Sequence, residues 1–113
     1  MTQKQHKALL HEFIQRIEEQ RFYDAHESLE IIWFPRRFED DNEIKLLKGF
    51  INAAVSFELL KRGRTDSSKK VWKNYLKYRT LLYKVSSPHL NHYHAISRYL
   101  ESYNTQLLLL KNN

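Results

Sequence analysis

Phe22-Tyr23-Asp24-Ala25-His26-Glu27-Ser28-Leu29-Glu30-Ile31-Ile32-Trp33 sets an imidazole and a carboxylate into an otherwise aromatic and aliphatic run. On an α-helix Phe22, His26, Leu29, Glu30 and Trp33 fall at i, i+4, i+7, i+8 and i+11 and share one face. That face is expected to turn inward. His26 and Glu30 would then leave water together, at a free-energy cost that is relieved only if they bond to one another or to a ligand. The stretch therefore predicts a helical packing face and marks where a site would be.

Working outward, Leu9, Leu10, Phe13, Ile14 and Ile17 recur at helical spacing and predict a first helix over 3–20, with a polar break before 22–33. Phe34-Pro35 is expected to end the second helix, because proline lacks an amide donor and pushes the preceding residue out of the helical region. Glu39, Asp40, Asp41 and Glu43 crowd the start of a third helix, 41–61, where acidic groups suit the positive end of the dipole. Apolar residues occupy nearly every face of that third helix, so it should be central and buried. Gly49, Asn52, Ala53 and Ser56 form a strip of small side chains along it, expected to receive the His26/Trp33 face. Gly63 is a C-terminal stop, and Thr65 or Asp66 a cap for a fourth helix over 67–85 with Val71, Trp72, Tyr75, Leu76, Leu82 and Tyr83 toward the core. Ser86-Ser87-Pro88 precedes a fifth helix over 90–110, patterned by Ile96, Tyr99, Leu100, Tyr103 and Leu107.

Composition agrees with an all-α, single-domain bundle of about five helices. The 113 residues include only two glycines and two prolines, which leaves little material for hairpins or long loops. No cysteine is present, so no disulfide framework exists and a reducing, cytoplasmic setting is expected. The polar N-terminal residues and the lack of a long apolar run predict neither a signal peptide nor a membrane span.

Phe22-x3-His26-Glu27-x-Leu29-Glu30-x2-Trp33, followed by Gly49-Phe-Ile-Asn-Ala-Ala54 and then Arg62-Gly63, resembles the small helical domains catalogued as domain of unknown function 309. The His-x3-Glu-x2-Trp signature is carried by His26, Glu30 and Trp33, and the likeness runs from about Phe22 to the start of the fourth helix. It implies a helical bundle and a suspected metal-binding role, with no established activity. The chain departs from the family pattern at Asn52, where members often carry Gln, at Leu59, where many carry His, and at Arg64, in place of a common Asn.

The motif has three chemical uses. His26 and Glu30, one turn apart, can bond to each other, or both face a divalent metal such as zinc, or line a small-ligand pocket with Phe22, Trp33, Gly49 and Asn52. Read as His26-Glu27-x-x-Glu30, the segment is also a zinc-protease helix with its second histidine replaced, which makes Glu27 the candidate general base of a metal-assisted hydrolase. A third protein ligand has no nominee in the sequence. His89, His92 and His94 follow Pro88 and are expected at a solvated helix start.

Charge supplies a reading from another class. Lys61 to Lys84 holds nine basic residues against the single acid Asp66, a local balance of +8 in a chain whose total is +6. Lys69, Lys73 and Lys77 make one helical row, suited to nucleic acid or another anionic partner, while Trp72 and Tyr75 have the spacing of core residues. The Leu107-Leu-Leu-Leu110 run exceeds what one amphipathic stripe needs, and a homodimer is the third expectation.

Overall fold

Thr2 Oγ1 accepts the Gln5 amide at 3.1 Å while the Gln5 side chain accepts the Thr2 amide at 2.9 Å, a capping box that starts α1 (Gln3–Glu18). Gln20 then takes φ +60°, the Gln20 amide bonds the Ile17 carbonyl and the Arg21 amide bonds that of Arg16. This Schellman turn leads directly into α2 (Phe22–Trp33). In the computed structural model, which describes residues 1–111, a 3₁₀ turn (Phe34–Arg36), α3 (Asn42–Lys61), α4 (Thr65–Arg79), a second 3₁₀ turn (Thr80–Tyr83) and α5 (Leu90–Lys111) follow. Asp41 caps α3 by accepting the amides of Glu43 and Ile44. Gly63, at φ +79°, closes it with the same Schellman turn seen after α1, its neighbour Arg64 bonding the Leu59 carbonyl.

Eleven of the twenty residues of α3 are buried, on all sides, and this makes it the centre of an all-α bundle. Leu10, Phe13 and Ile17 of α1, Leu29 and Ile32 of α2, and Tyr93, Ile96 and Leu100 of α5 join its Phe50 and Phe57 in one core. No helix among the described residues is long and apolar enough to cross a membrane.

Five local expectations are corrected. The buried face of α2 is Phe22, Ala25, Ser28, Leu29 and Ile32, so the helix is rolled relative to the predicted stripe and His26, Glu30 and Trp33 stand at its margin, only partly buried. The roll spares Glu30 full dehydration, and the small residue Ser28 lets Arg16 of α1 donate to Ser28 Oγ at 2.8 Å and to the Asp24 carbonyl at 2.9 Å. The small strip of α3 receives α4 instead of α2: a Cβ placed on Gly49 would lie 2.7 Å from Tyr78 Cβ. Ser56 and Ser68 each donate a hydroxyl to the other's carbonyl, at 3.0 and 2.8 Å. Phe34 stays helical (φ −59°, ψ −46°), because Pro35 lies near the start of a 3₁₀ turn where its missing amide has no partner to lose. Finally, α4 starts at Thr65 with no side-chain cap, and Tyr83 projects into solvent, 87% exposed, because the tight turn after Arg79 breaks the α-helical phase and buries Leu82 alone.

Candidate functional site

The signature pair forms. His26 Nε2 lies 2.8 Å from Glu30 Oε1, and His26 Nδ1 lies 3.2 Å from the Tyr23 carbonyl. Both partners are acceptors, so a neutral ring can donate to only one of them at a time. The imidazole faces a cleft of about 220 Å³ between α2 and α3, shared with Phe22, Tyr23, Val55, Glu58, Leu59 and Arg62. Glu58 is taken up by Arg62 at 2.9 Å.

The other predicted motif residues do not converge there. Trp33 is half-buried beneath the Lys48 ammonium, 4.2 Å from its ring centre. Gly49 is covered by Tyr78, and the Asn52 amide donates to the Lys48 carbonyl of its own helix at 2.8 Å. Glu27 is exposed, rotated about 100° around α2 from His26, and makes no side-chain bond among the described residues.

On α4 the exposed Lys69, Lys73 and Lys77 make no ion pair among the described residues, whereas Arg79 is held by Glu101 at 2.6 Å. Trp72 and Tyr75 pack inward with ring centroids 4.6 Å apart and planes tilted by 34°, and Trp72 lies against Phe57. The Tyr75 hydroxyl lies 2.6 Å from Ser97 Oγ and 2.8 Å from Glu101.

A second histidine–glutamate arrangement occupies the end of the bundle where α1, α3 and α5 begin. His6 Nε2 is 2.7 Å from the Tyr93 hydroxyl, which donates to Glu43 Oε2 at 2.5 Å, and Ser87 donates to the same oxygen at 2.6 Å. With the Tyr93 proton committed to Glu43, His6 must donate from Nε2, which leaves Nδ1 an acceptor. The His89 ring lies flat on that of His6, centroids 4.0 Å apart and planes 5° from parallel. Burial, followed by the neighbouring His89, lowers the His6 pKa to about 4, partly opposed by Glu43. Burial and then the bond to Glu43 push the Tyr93 phenol well above its usual range.

Sequence reasoning missed this network and placed His89 at a solvated helix start, yet His89 is 8% exposed because the turn at Ser87-Pro88 folds it against α1. His92 meets His11 edge-on at 5.6 Å, and His94 approaches Tyr83. One signal was available: His6, Leu10, Phe13 and Ile17 follow the same helical spacing that drew attention to His26.

Residues 10–71, from α1 to the middle of α4, match the family described as Domain of unknown function (DUF309). The chain belongs to the DUF309 family. Among curated proteins and solved structures nothing matches it. The DUF309 signature is intact here as a hydrogen-bonded pair, but its surroundings do not fit a metal ion. No group of three or more His, Cys, Asp or Glu able to hold one occurs among the described residues. Leu59, where the family resemblance leads one to expect a histidine, lines the His26 cleft and offers no lone pair. Much of the second network, namely His6, Ser87, His89 and Tyr93, lies outside the matched DUF309 segment.

Proposed function

We propose that this DUF309 chain is a binding module for an anionic partner, nucleic acid first among them, and that it presents the outer face of α4 while the His26–Glu30 pair serves architecture. The observation that carries this reading is the row Lys69, Lys73 and Lys77, exposed and free of ion pairs among the described residues, on a helix whose aromatic side chains Trp72 and Tyr75 pack inward. Three lysines one turn apart cannot relieve their mutual repulsion within the helix, so a polyanion gains by neutralising them and releasing its own counterions.

Fluorescence anisotropy with labelled single-stranded and duplex oligonucleotides tests it. Engagement of the three lysines predicts affinity falling about 20- to 40-fold between roughly 50 and 200 mM salt. The triple variant Lys69→Glu, Lys73→Glu, Lys77→Glu should lose binding while His26→Ala retains it. Absent binding at low salt, or binding indifferent to salt, overturns the reading.

A small-ligand role for the motif is favoured by one observation, the cleft of about 220 Å³ against the His26 ring. A homodimer is supported by Leu109 and Leu110, 61% and 71% exposed on α5, and sedimentation over a concentration series would register it.

A further inference from the structure

Cations and aromatic rings alternate across the surface from α4 over α3 to α2. Tyr78 seats its Cβ on Gly49, and the Lys77 ammonium lies 5.6 Å from the Tyr78 ring centre. Lys48 precedes Gly49 and is rotated from it by about 100° around α3. It reaches the other way, setting its ammonium 4.2 Å from the ring centre of Trp33 at the end of α2. The order across the three helices is Lys77, Tyr78, Lys48 and Trp33, and it begins where the row Lys69, Lys73, Lys77 ends.

These two rings differ from the aromatic side chains of the core. The Tyr75 and Tyr93 hydroxyls are held by Glu101 and Glu43. The Tyr78 hydroxyl and the Trp33 indole N–H, by contrast, have no protein partner among the described residues and are not sealed from water. Both residues are half-buried, so each ring keeps a side on solvent. Lys48 and Lys77 make no ion pair among the described residues, whereas Lys45, which also neighbours Tyr78, is taken by Asp40 at 2.5 Å. An ammonium resting on an aromatic face at the surface is held loosely. It can swing to a phosphate and leave the face to a flat, uncharged ring.

Phosphates satisfy the lysines equally in a single strand or a duplex. Only a single strand offers free base faces, because a duplex stacks each base between its neighbours. Resting on the nucleic-acid reading above, we propose that the strand bound is single, with phosphates on Lys69, Lys73, Lys77 and Lys48 and bases stacked on Tyr78 and Trp33. The signature tryptophan then has a role of its own, separate from the His26–Glu30 pair.

Trp72→Phe keeps an aromatic ring against Phe57 and leaves Trp33 the sole tryptophan of the chain. Oligothymidylate, an abasic strand of the same length and a duplex are titrated into this variant, with fluorescence and anisotropy both followed. Oligothymidylate is expected to quench the Trp33 emission in step with the anisotropy, and the abasic strand and the duplex to bind without quenching. Trp33→Leu in the otherwise unchanged chain should weaken single-strand binding about tenfold and leave duplex binding within about twofold. Binding by anisotropy without quenching, or an equal loss for both forms in Trp33→Leu, overturns this proposal and leaves the lysine reading standing. Absence of binding by every strand overturns both. Should Trp33→Leu fail to fold, the quenching comparison decides alone.

Discussion

In the sequence His26 and His6 look alike, each at helical spacing from large apolar residues, yet the fold buries His6 on the face of α1 and leaves His26 at the margin of α2, and they meet glutamate in different ways. His26 bonds Glu30 one turn along its own helix, at the rim of the bundle, with the carboxylate side chain 37% exposed. His6 reaches Glu43 only through Tyr93, so three helices must dock before the connection exists. A pair within one helix forms whenever the helix does and is worth little, because water competes for both partners. A relay between helices forms only in the assembled fold, and its loss leaves buried groups unpaired. The arrangement that stands out in the sequence is therefore the energetically lighter one.

The largest expected effect comes from breaking the relay at its middle. Tyr93→Phe removes the acceptor for His6 and one donor to Glu43 in a closed space, and urea denaturation should register a loss of roughly 2 kcal/mol. A loss no greater than that of His26→Ala would erase the contrast between the two pairs.

Acidification sharpens the same contrast. The folded chain keeps His6 neutral down to about pH 4, whereas the unfolded chain takes up that proton near the ordinary value of 6.5. Stability owed to His6 is accordingly complete above pH 6.5 and declines as pH falls through that window, since the unfolded state binds more protons there. Thermal midpoints measured across the window should fall more steeply for wild type than for His6→Gln, and parallel curves would count against a neutral buried His6.

The smallest effect is expected at the signature pair. A double-mutant cycle with His26→Ala and Glu30→Gln should give a coupling of about 0.5 kcal/mol, as for other pairs one turn apart on a partly exposed helix face. A coupling above about 2 kcal/mol would instead place His26 and Glu30 among buried, mutually dependent groups.

These differences track what was legible in the sequence. The helices, the central α3 and the stop at Gly63 could be read because periodicity, capping residues and glycine act over a few neighbouring residues. The left-handed turn at Gln20 could not, since a residue with a Cβ adopts it at a cost of roughly 1–2 kcal/mol and only surrounding contacts offset that. Nor could the roll of α2, which depends on where Arg16 of another helix finds its acceptors. Of the candidate site, the His26–Glu30 contact was visible as a four-residue spacing. That Leu59, 33 positions downstream of His26, lines the same cleft became apparent only when α3 set that side chain beside it. The His6 network was hidden for the same reason: His6, Glu43 and Tyr93 are 37 to 87 residues apart and share nothing but the end of the bundle.

Tyr78 leaves no room for a side chain on Gly49, and with the serine pair one helical segment further along, α4 is pinned to α3 at two points. Two fixed points determine rotation as well as position, so the helix cannot turn about its axis to present another edge. Its lysine row is consequently a ruler with marks set by backbone geometry, rising about 6 Å per step, and a partner must supply negative groups at a matching pitch instead of merely carrying enough of them.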